Sequence, residues 1–321
     1  MPHIALTDSE YAAQLTAQSK TNFYYSFSML PRDEREAMNT VYAFCRTIDD
    51  LVDETAEPPD GIGEDAASTI QSNSGVINTA CGDSLSHKRE RLALWRREIE
   101  KCYNGESSHA ILVPLTKVVQ RFRIPKQYFL TLLDGMEMDL VKQRYKTFEE
   151  LYEYCYSVAG VVGLMCIEIF GYKYEETREY AVQLGVAMQL TNILRDVKAD
   201  MQKGRIYIPQ EDMELFGVQD YDILLEQQSP RLRRLLAYEA ARAREYYHSA
   251  RALLKKDERI TMLAAEIMDA IYFRLLEKIE LSNFDVFRKR ISVSTLHKIL
   301  IALRFWMENK ALSMFRSKKN K

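Results

Sequence analysis

The sequence is poor in cysteine, histidine, glycine and proline. Its 321 residues include 5 cysteines, 5 histidines, 12 glycines and 8 prolines. The odd number of cysteines, their irregular spacing and the lack of a CxxC pair exclude a disulfide framework and a cysteine zinc site, and they fit buried, reduced thiols. The histidines are too scattered to form a metal motif. With so few glycines and prolines, long segments contain nothing that would interrupt a helix.

The chain also lacks a strong net charge and a long hydrophobic run. A formal net charge of −2 argues against nucleic acid as a main partner. The longest uncharged apolar run, residues 158–167, is far shorter than the roughly 20 residues that cross a membrane. Since no signal-like pattern opens the sequence, we expect a cytoplasmic protein. The basic residues at 316–321 leave contact with an anionic membrane surface open.

What the sequence does have is helical periodicity. Apolar residues make up 47% of the chain and recur at helical spacing, with no alternating run typical of a strand. We therefore predict an all-α protein with a single domain over residues 1–321. Residues 56–87 are rich in Ser, Asn, Gly and Ala and are predicted to form a surface loop. The predicted helices cover residues 8–18, 31–53, 88–102, 110–122, 125–143, 148–170, 175–201, 231–254, 258–281 and 294–315.

One predicted helix carries oxygen ligands on successive turns. Asn192, Asp196 and Asp200 are four residues apart, so a helix places them along one face. Like charges at this spacing repel each other unless a cation lies between them. Such oxygens suit Mg2+, which usually bridges to substrate phosphates. Arg195 adds a guanidinium group of the kind that binds phosphate.

A second acidic segment lies upstream in another predicted helix. Asp49 and Asp53 are again four residues apart, and Arg46 lies one turn before Asp49. Either segment alone is more typical of a solvated helix face than of a metal site. Two such segments in apolar helices favour a shared site. If the two helices face each other, four carboxylates can hold Mg2+ ions with a diphosphate as counter-anion.

This combination of carboxylates, arginines and apolar helices indicates a substrate with a diphosphate at one end and an apolar tail. Mg2+ bound to the diphosphate would neutralise the leaving group and promote ionisation of the carbon–oxygen bond. The carbocation that remains must be kept from water, which requires an apolar, aromatic pocket. Tyr154, Tyr207 and Tyr272 are candidates for its wall, although a tyrosine in a helical protein is more often a core residue.

Three ordered segments resemble the squalene/phytoene synthase family, the head-to-head prenyl synthases of the isoprenoid-synthase fold. They are YAFCR at 42–46 with the aspartates that follow it, YCYSVAG at 154–160, and residues 189–207 from QLTNILRDVKAD to GRIY. The resemblance implies a helical bundle around a central apolar cavity. It also implies that one prenyl diphosphate ionises with the help of Mg2+, or of Mn2+ in its place. The double bond of a second one then attacks the cation, and a proton is lost to give a cyclopropylcarbinyl diphosphate.

The same resemblance implies roles for individual residues. The metal–diphosphate positions are Asp49, Asp53, Asn192, Asp196 and Asp200. The substrate diphosphate-binding positions are Arg46, Arg195, Asn22, Tyr207, Tyr272 and Arg290. Tyr154 matches the tyrosine proposed to assist ionisation and proton removal. Asn22 stands where relatives often carry Ser, and the match around Arg290 is loose.

Segments 134–139, 167–172 and 300–306 look most like bacterial presqualene diphosphate synthases of hopanoid pathways, which use two farnesyl diphosphates. The alternative is a phytoene synthase that condenses two geranylgeranyl diphosphates, because the two groups share their catalytic motifs. No NADPH motif is recognisable. Since the family does not use a Rossmann site, the NADPH requirement stays open.

A hypothesis from another class is a non-catalytic protein that binds prenyl diphosphates or partners a true synthase. Loss of an aspartate from either acidic segment would favour it, but both segments are complete. A complex with other isoprenoid-pathway enzymes also stays open. A purely structural bundle is a third hypothesis. It predicts scattered, fully solvated aspartates, because carboxylates inside an apolar channel are costly to desolvate without cations.

Overall fold

The protein is a bundle of α-helices. Its structure is a computed structural model that describes residues 22–53, 82–226 and 228–319. Within these ranges the one β-type pairing is an isolated parallel bridge between Arg144 and Ile206, so the all-α prediction is confirmed. The helices are α1 (Asn22–Phe27), α2 (Arg32–Asp53), α3 (Gly82–Asn104), α4 (Leu112–Phe122), α5 (Lys126–Val141), α6 (Phe148–Cys155), a π-helical turn (Tyr156–Gly160), α7 (Val161–Phe170), α8 (Glu176–Gln202), α9 (Gln210–Phe216), α10 (Asp220–Leu224), α11 (Pro230–Leu253), α12 (Leu263–Leu281) and α13 (Thr295–Lys319).

Sequence signals mark several helix ends. The Thr147 hydroxyl accepts a hydrogen bond from the Glu150 backbone N–H (3.3 Å) at the start of α6. The Ser229 hydroxyl accepts one from the Leu232 backbone N–H (3.1 Å) at the start of α11. Gly171 is the C-cap of α7 with a φ of +77°, a conformation that favours glycine. These caps satisfy backbone groups that the helices themselves leave without partners.

One end of the predicted surface loop is wrong. Helix α3 begins at Gly82, so residues 82–87 belong to a helix. Residues 83–87 contain neither glycine nor proline, and nothing in them breaks a helix. Residues 56–81 of that loop, and the predicted helix at 8–18, lie outside the described residues.

Three other predicted boundaries also differ from the structure. The predicted helix 148–170 is divided by the π-helical turn between α6 and α7. The short helices α9 and α10 follow α8 and have no counterpart in the prediction, because five to seven residues are too few to show a clear periodicity. Helix α12 begins at Leu263 instead of residue 258, after a series of turns.

Two glycines let the backbones of neighbouring helices touch. A Cβ atom added to Gly163 of α7 would lie 2.4 Å from the Ala181 carbonyl oxygen of α8. One added to Gly185 of α8 would lie 2.5 Å from the Ala159 carbonyl oxygen in the π-helical turn. No larger residue fits at such distances, so glycine allows this close approach. Both glycines also line the cavity described below, so the contact helps to form its wall.

Helix α8 runs through the middle of the bundle. Buried residues occur along almost its whole length, from Thr177 to Val197, and it packs against α7, the π-helical turn, α11 and α12. A helix buried on most sides can place polar groups only where it borders a cavity or reaches the surface. Near its end, α8 carries Asn192 and Arg195 to the cavity lining, and the partly buried Asp196 and Asp200 lie next along the helix.

The segment Phe148–Phe170 is the one part of the described chain with the length and hydropathy of a membrane span. Its most apolar 18-residue stretch has a mean hydropathy of 1.4, and half of that stretch is buried inside the bundle. Val158, Ala159 and Val162 of the same segment line the cavity. Its apolar character is therefore explained by the core and the cavity wall.

Candidate active site

An open cavity of about 720 Å³ lies among the helices. This volume is within the range of small-molecule sites. Its walls come from α1, α2, α5, the π-helical turn, α7, α8, α12, the segment that leads into α13 and the first turn of α13. Most lining residues are apolar, as predicted for a central apolar cavity. The charged and amide side chains in the lining are Arg46, Asp49, Gln189, Asn192, Arg195, Arg290 and Lys298.

The front acidic segment, Asp49 and Asp53, lies near the end of α2. Arg46 donates a hydrogen bond to Asp49 (Nη1–Oδ2, 3.1 Å) and pairs with Asp50 (Nη2–Oδ1, 2.5 Å). Burial and the nearby charge of Asp53 raise the pKa of Asp49 to about 6, although Arg46 lowers it. Asp49 is thus a carboxylate whose negative charge is only partly compensated.

Asp53 joins the front acidic segment to the end of α8. Lys203 donates to its Oδ2 atom at 2.7 Å, and Arg205 donates to its Oδ1 atom at 3.2 Å. Burial would raise the pKa of Asp53, but the hydrogen bonds and charges of these two cations outweigh it and lower the pKa. Lys203 and Arg205 come directly after the second acidic segment, Asn192, Asp196 and Asp200, so the two acidic segments lie next to each other in the structure.

The rear acidic segment comprises Asn192, Asp196 and Asp200 on α8. Asp196 accepts hydrogen bonds from Arg195 (Nε–Oδ1, 2.9 Å) and from Arg290 (Nε–Oδ1, 2.9 Å; Nη2–Oδ2, 3.2 Å). Burial alone would raise the pKa of Asp196, but these two guanidinium groups outweigh it and lower the pKa. The structure therefore brings Arg290, from the far end of the chain, to the predicted metal site.

Asp200 lies in a different environment from Asp196. Burial, with added repulsion from Asp196 and Asp139, raises the pKa of Asp200 to about 7, although Lys203 and Arg205 lower it. Asp139 also raises the pKa of Asp49. Asp139 therefore lies close enough to both acidic segments to repel each of them.

The donor groups fit a divalent cation. Asn192 donates to Gln189 (Nδ2–Oε1, 3.3 Å), but its buried Oδ1 atom has no hydrogen-bond partner among the described residues. Together with the incompletely neutralised Asp49 and Asp200, this oxygen provides hard ligands of the kind that Mg2+ prefers. In the described part of the chain, no three Asp, Glu, His or Cys side chains converge as a ready metal cluster. Cations held here would share their coordination with substrate oxygens and water, which is usual for Mg2+.

A buried tyrosine cluster surrounds Asp139. Tyr154 donates to Asp139 Oδ2 at 2.9 Å, and Tyr207 donates to Asp139 Oδ1 at 2.7 Å. The rings of Tyr154 and Tyr207 stack with centroids 5.1 Å apart. Burial raises the pKa of Tyr154 well above its ordinary value. Tyr154 is only 4% exposed and sits behind the cavity wall, one turn before the lining residue Val158.

The chain path after α8 holds this cluster together. The Ile206 backbone N–H donates to the Gln143 carbonyl oxygen (3.1 Å), and the Gln210 backbone N–H donates to the Tyr145 carbonyl oxygen (2.9 Å). These bonds lay the segment with Tyr207 along the segment that follows α5. Tyr207 is thereby fixed beside Tyr154, where sequence position alone would not place it.

Asp139 is the functional candidate that sequence reasoning missed. It lies in the segment 134–139, for which the sequence predicts no site residue. The available signal is its position between the apolar residues Met138 and Leu140, close to the end of α5. Burial raises the pKa of Asp139, while Arg205 and the two tyrosine hydroxyls lower it. The sequence also predicts no role for Gln189, Lys203 and Arg205. In the structure, Gln189 lines the cavity and the other two residues pair with Asp53.

Of the remaining predicted positions, Tyr272 and Arg195 come together. Tyr272 and Arg195 both line the cavity, and they lie close enough for the phenol to interact electrostatically with the guanidinium group. Asn22 opens α1, but its side chain lies outside the described ones. The predicted contact between Asn22 and a diphosphate therefore stays a prediction.

The aspartates are neither scattered nor fully solvated. The side chains of Asp49, Asp53 and Asp196 are 47%, 35% and 16% exposed. Each one pairs with arginine or lysine side chains, and Asp49 lines the same cavity as Arg46 and Arg290. This arrangement contradicts the hypothesis of a purely structural bundle.

A sequence profile described as squalene/phytoene synthase matches residues 16–297. The chain belongs to the squalene/phytoene synthase family. Among curated proteins, the 15-cis-phytoene synthase of Synechococcus elongatus is 34% identical over 305 residues, which cover 90% of this chain and 89% of that protein. A phytoene synthase of Mycobacterium tuberculosis is 33% identical over 304 residues, which cover 92% of this chain and 91% of that protein.

Solved structures of squalene/phytoene synthase-type proteins share the fold. The squalene synthase HpnC from Alicyclobacillus acidocaldarius superposes with a TM-score of 0.71 at 26% identity, over 86% of this chain and 94% of that one. A dehydrosqualene synthase solved in complex with a ligand gives a TM-score of 0.75 at 27% identity, over 95% of this chain and 97% of that one. The predicted resemblance to this family is therefore confirmed. The relatives named phytoene synthase support the geranylgeranyl alternative better than the farnesyl-based first choice.

Proposed function

We propose that this member of the squalene/phytoene synthase family condenses two geranylgeranyl diphosphates head to head, in a Mg2+-dependent reaction that yields phytoene. The observation that supports the reaction class is that the two acidic helix segments lie next to each other beside one apolar cavity, which is lined by Asp49, Asn192 and three arginines. The choice of substrate is supported by the relatives of 33% and 34% identity, which are phytoene synthases.

Three arginines are placed to bind the diphosphate. Arg46, Arg195 and Arg290 line the cavity, and each pairs with an aspartate of the two acidic segments. A diphosphate would compete for these guanidinium groups, because phosphate accepts the same forked hydrogen bonds as a carboxylate. The aspartates released in this way could hold Mg2+, which would neutralise the charge that develops on the leaving diphosphate.

The apolar wall protects the carbocation that ionisation leaves behind. Phe23, Phe27 and Leu132 line the cavity, and their hydrocarbon side chains carry no lone pair that would trap a cation covalently. Cys45 and Cys166 line it as well, but burial raises the pKa of both thiols far above neutral. The thiols stay protonated and are poor nucleophiles.

Tyr154 and Asp139 form a path for the proton that cyclopropane formation releases. Because the pKa of Tyr154 is raised, its phenol form is present, and its oxygen can take a proton only by passing its own proton on. The hydrogen bond to Asp139 Oδ2 provides that acceptor. The substrate C–H bond breaks, an O–H bond forms on Tyr154, and the earlier tyrosine proton moves to Asp139. The hydroxyl must shift toward the cavity to do this, and the adjoining π-helical turn is the element that would move.

Farnesyl diphosphate as substrate is the second candidate. It is favoured by the likeness to the structures of a squalene synthase and a dehydrosqualene synthase, which are 26% and 27% identical. The two candidates use the same diphosphate end of the site and differ only in the length of the apolar tail.

Incubation with each diphosphate separates the candidates. The full chain is supplied with Mg2+ and either geranylgeranyl or farnesyl diphosphate, with and without NADPH, and lipid products are identified by mass spectrometry. We expect a forty-carbon hydrocarbon with a central conjugated triene from geranylgeranyl diphosphate. A thirty-carbon product from farnesyl diphosphate, with geranylgeranyl diphosphate left intact, would replace the first candidate by the second. Tight binding of both compounds with no product from either would favour a non-catalytic binding protein.

A further inference from the structure

A buried cluster of polar side chains joins α9 to α11, away from the cavity lining. The Arg242 guanidinium of α11 donates two hydrogen bonds to Asp212 of α9 (Nη1–Oδ2, 2.8 Å; Nη2–Oδ1, 3.2 Å). It also donates to Glu239, one turn earlier on α11 (Nη1–Oε2, 2.7 Å). Asp212 and Glu239 are only 4% and 5% exposed, and none of the three residues lines the cavity. We call these three residues the α9 clamp.

Two carboxyl groups share one guanidinium group in the α9 clamp, so both cannot be ionised without leaving a buried net charge. Burial raises the pKa of Glu239, and repulsion from Asp212 adds to this, although Arg242 lowers it. The Glu239 Oε1 atom is buried and has no hydrogen-bond partner among the described residues, which suits a neutral acid better than a carboxylate. Asp212 is therefore the charged partner of Arg242, and Glu239 supports the pair as a neutral acceptor.

The same guanidinium group lies against the start of α6. Its central carbon atom is 4.1 Å from the ring centre of Phe148, the first residue of α6. A cation over an aromatic ring is stabilised, and more so away from water. The Phe148 backbone N–H in turn donates to Glu211 of α9 (Oε1, 2.7 Å). Arg242 thus contacts both α6, which carries Tyr154, and α9, which follows Tyr207.

The segment 203–211 connects the α9 clamp to the charged end of the cavity. It carries Lys203 and Arg205, which pair with Asp53, and Tyr207, which donates to Asp139. Residues 203–209 lie between α8 and α9 and are not helical. The backbone N–H groups at 206, 210 and 211 donate to the carbonyl oxygens at 143, 145 and 146. A segment with so few hydrogen bonds opens easily unless its ends are fixed, and α9 is one of those ends.

We propose that Arg242 is a positioning residue for the reaction: by holding Asp212 and Phe148 together, it keeps Tyr207 and Tyr154 hydrogen-bonded to the two oxygens of Asp139. A forked pair between arginine and a carboxylate is suited to this, because it fixes direction as well as distance. The inference rests on the proposed condensation, in which Tyr154 and Asp139 carry the proton. It does not depend on which prenyl diphosphate the cavity takes.

The variant Asp212→Asn breaks the fork with a small disturbance. The amide keeps the size of the side chain, but it has no charge and its nitrogen cannot accept the second hydrogen bond. Glu239 can ionise in its place, so no unpaired charge is left buried. The control is Glu280→Gln, which breaks another ion pair of α11, between Arg244 and α12 (Nε–Oε1, 2.7 Å).

Hydrogen exchange of the full chain tests the placement without any substrate. In Asp212→Asn, the backbone N–H groups at 206, 210 and 211 should exchange about tenfold faster, because their hydrogen bonds open more often once α9 is held less firmly. Glu280→Gln should leave the three groups as they are in the parent. Equal exchange in Asp212→Asn and the parent would overturn the proposal, whatever the activity.

Product formation tests the consequence for the reaction. We expect the kcat of Asp212→Asn to fall about tenfold with little change in KM, since a small misplacement of Tyr207 is costly while the arginines of the cavity stay in place. Glu280→Gln should keep the parent's kcat. The double variant Asp212→Asn, Tyr207→Phe should be little worse than Tyr207→Phe alone, because the α9 clamp acts through the Tyr207 hydroxyl.

The two measurements separate this proposal from the proposed function. If the parent forms no product from either diphosphate, the proposed function is wrong, and hydrogen exchange still decides whether the α9 clamp places segment 203–211. Parent-like kcat in Asp212→Asn would overturn the positioning role, as would losses that multiply in the double variant. A loss of helix content in Asp212→Asn would also overturn it, because the α9 clamp would then be needed for folding as a whole.

Discussion

The two acidic segments look alike in sequence, but the fold neutralises them differently. The rear segment on α8 has its own cations, since Arg195 is the neighbour of Asp196, and Arg290 completes the pair. The front segment on α2 depends on the rear one, because Asp53 is held by Lys203 and Arg205 at the end of α8. The rear segment therefore organises the charged end of the cavity, and the front segment is attached to it.

Within each segment, one carboxylate is paired and the other is not fully compensated. The pKa values of Asp53 and Asp196 are lowered by their cations, whereas burial raises those of Asp49 and Asp200 to about 6 and 7. A site built only for stability would neutralise all four carboxylates to the same degree. The difference indicates that Asp49 and Asp200, whose charges are only partly compensated, are kept for ligands that arrive with their own positive charge.

The largest expected effect comes from removing a carboxylate of the rear acidic segment. Asp196→Asn removes a predicted metal ligand and the partner of two arginines, so turnover should fall by about a thousandfold or more. Helix content measured by circular dichroism should stay unchanged. The control is Asp257→Asn, in a turn before α12 where Asp257 pairs with Lys173 away from the cavity lining, and it should keep full activity. Near-full activity of Asp196→Asn would show that the assigned metal role is wrong.

The next effect tests the tyrosine cluster between the two segments. Asp139→Asn keeps the size of the side chain but weakens its ability to take a proton from Tyr154. We expect kcat to fall by about a hundredfold, with a much smaller change in KM. Tyr154→Phe should show a similar loss.

The double variant Asp139→Asn, Tyr154→Phe separates a shared role from two independent ones. It should be little worse than either single variant, because residues that act as a unit are non-additive. If the fall in kcat of the double variant equals the product of the two single falls, Asp139 has a role apart from Tyr154. A change in KM without a change in kcat in Asp139→Asn would mean the same.

A smaller effect tests how the front segment depends on the rear. Lys203→Met removes the ammonium that lies 2.7 Å from Asp53 Oδ2 and competes with a bound cation. We expect the variant to bind Mn2+ alone about fivefold more tightly in calorimetry, which corresponds to an exposed ion pair of about 1 kcal/mol. Lys198→Met removes a lysine of α8 that pairs with Glu226, and it should leave Mn2+ binding unchanged. Weaker binding by Lys203→Met would contradict the competition.

The smallest effect concerns stability without metal. The pKa of Asp200 is raised from 3.8 to about 7 on folding, so its contribution to stability is fully present below pH 3.8 and is lost as the pH rises toward 7. Asp200→Asn avoids this loss. The variant should be more stable than the parent by about 1–2 kcal/mol at pH 8, after allowance for partial exposure, and the difference should disappear near pH 4. Urea unfolding in the presence of a chelator measures this, with Glu214→Gln as an exposed control on α9.

Much of the fold could be predicted from the sequence, because the signals that begin and end a helix lie within a few residues of its ends. Capping residues such as Thr147 and Ser229, and the glycine at 171, act on backbone groups within one turn. The π-helical turn after Tyr154 could not be predicted, because its residues are compatible with an ordinary helix. In the structure, its backbone at Ala159 packs directly against α8 at Gly185, a contact that the local sequence does not show.

The order of amino acids alone decides that Asn192, Asp196 and Asp200 share one helix face, since their spacing matches the helical repeat. It also decides that the helices around them are apolar enough to enclose a cavity. Only the tertiary structure decides that Lys203 lies against Asp53, 150 residues away, and that Tyr154 and Tyr207 share Asp139. Local spacing determines what one helix can present, whereas charge pairing between distant segments depends on how the whole bundle packs.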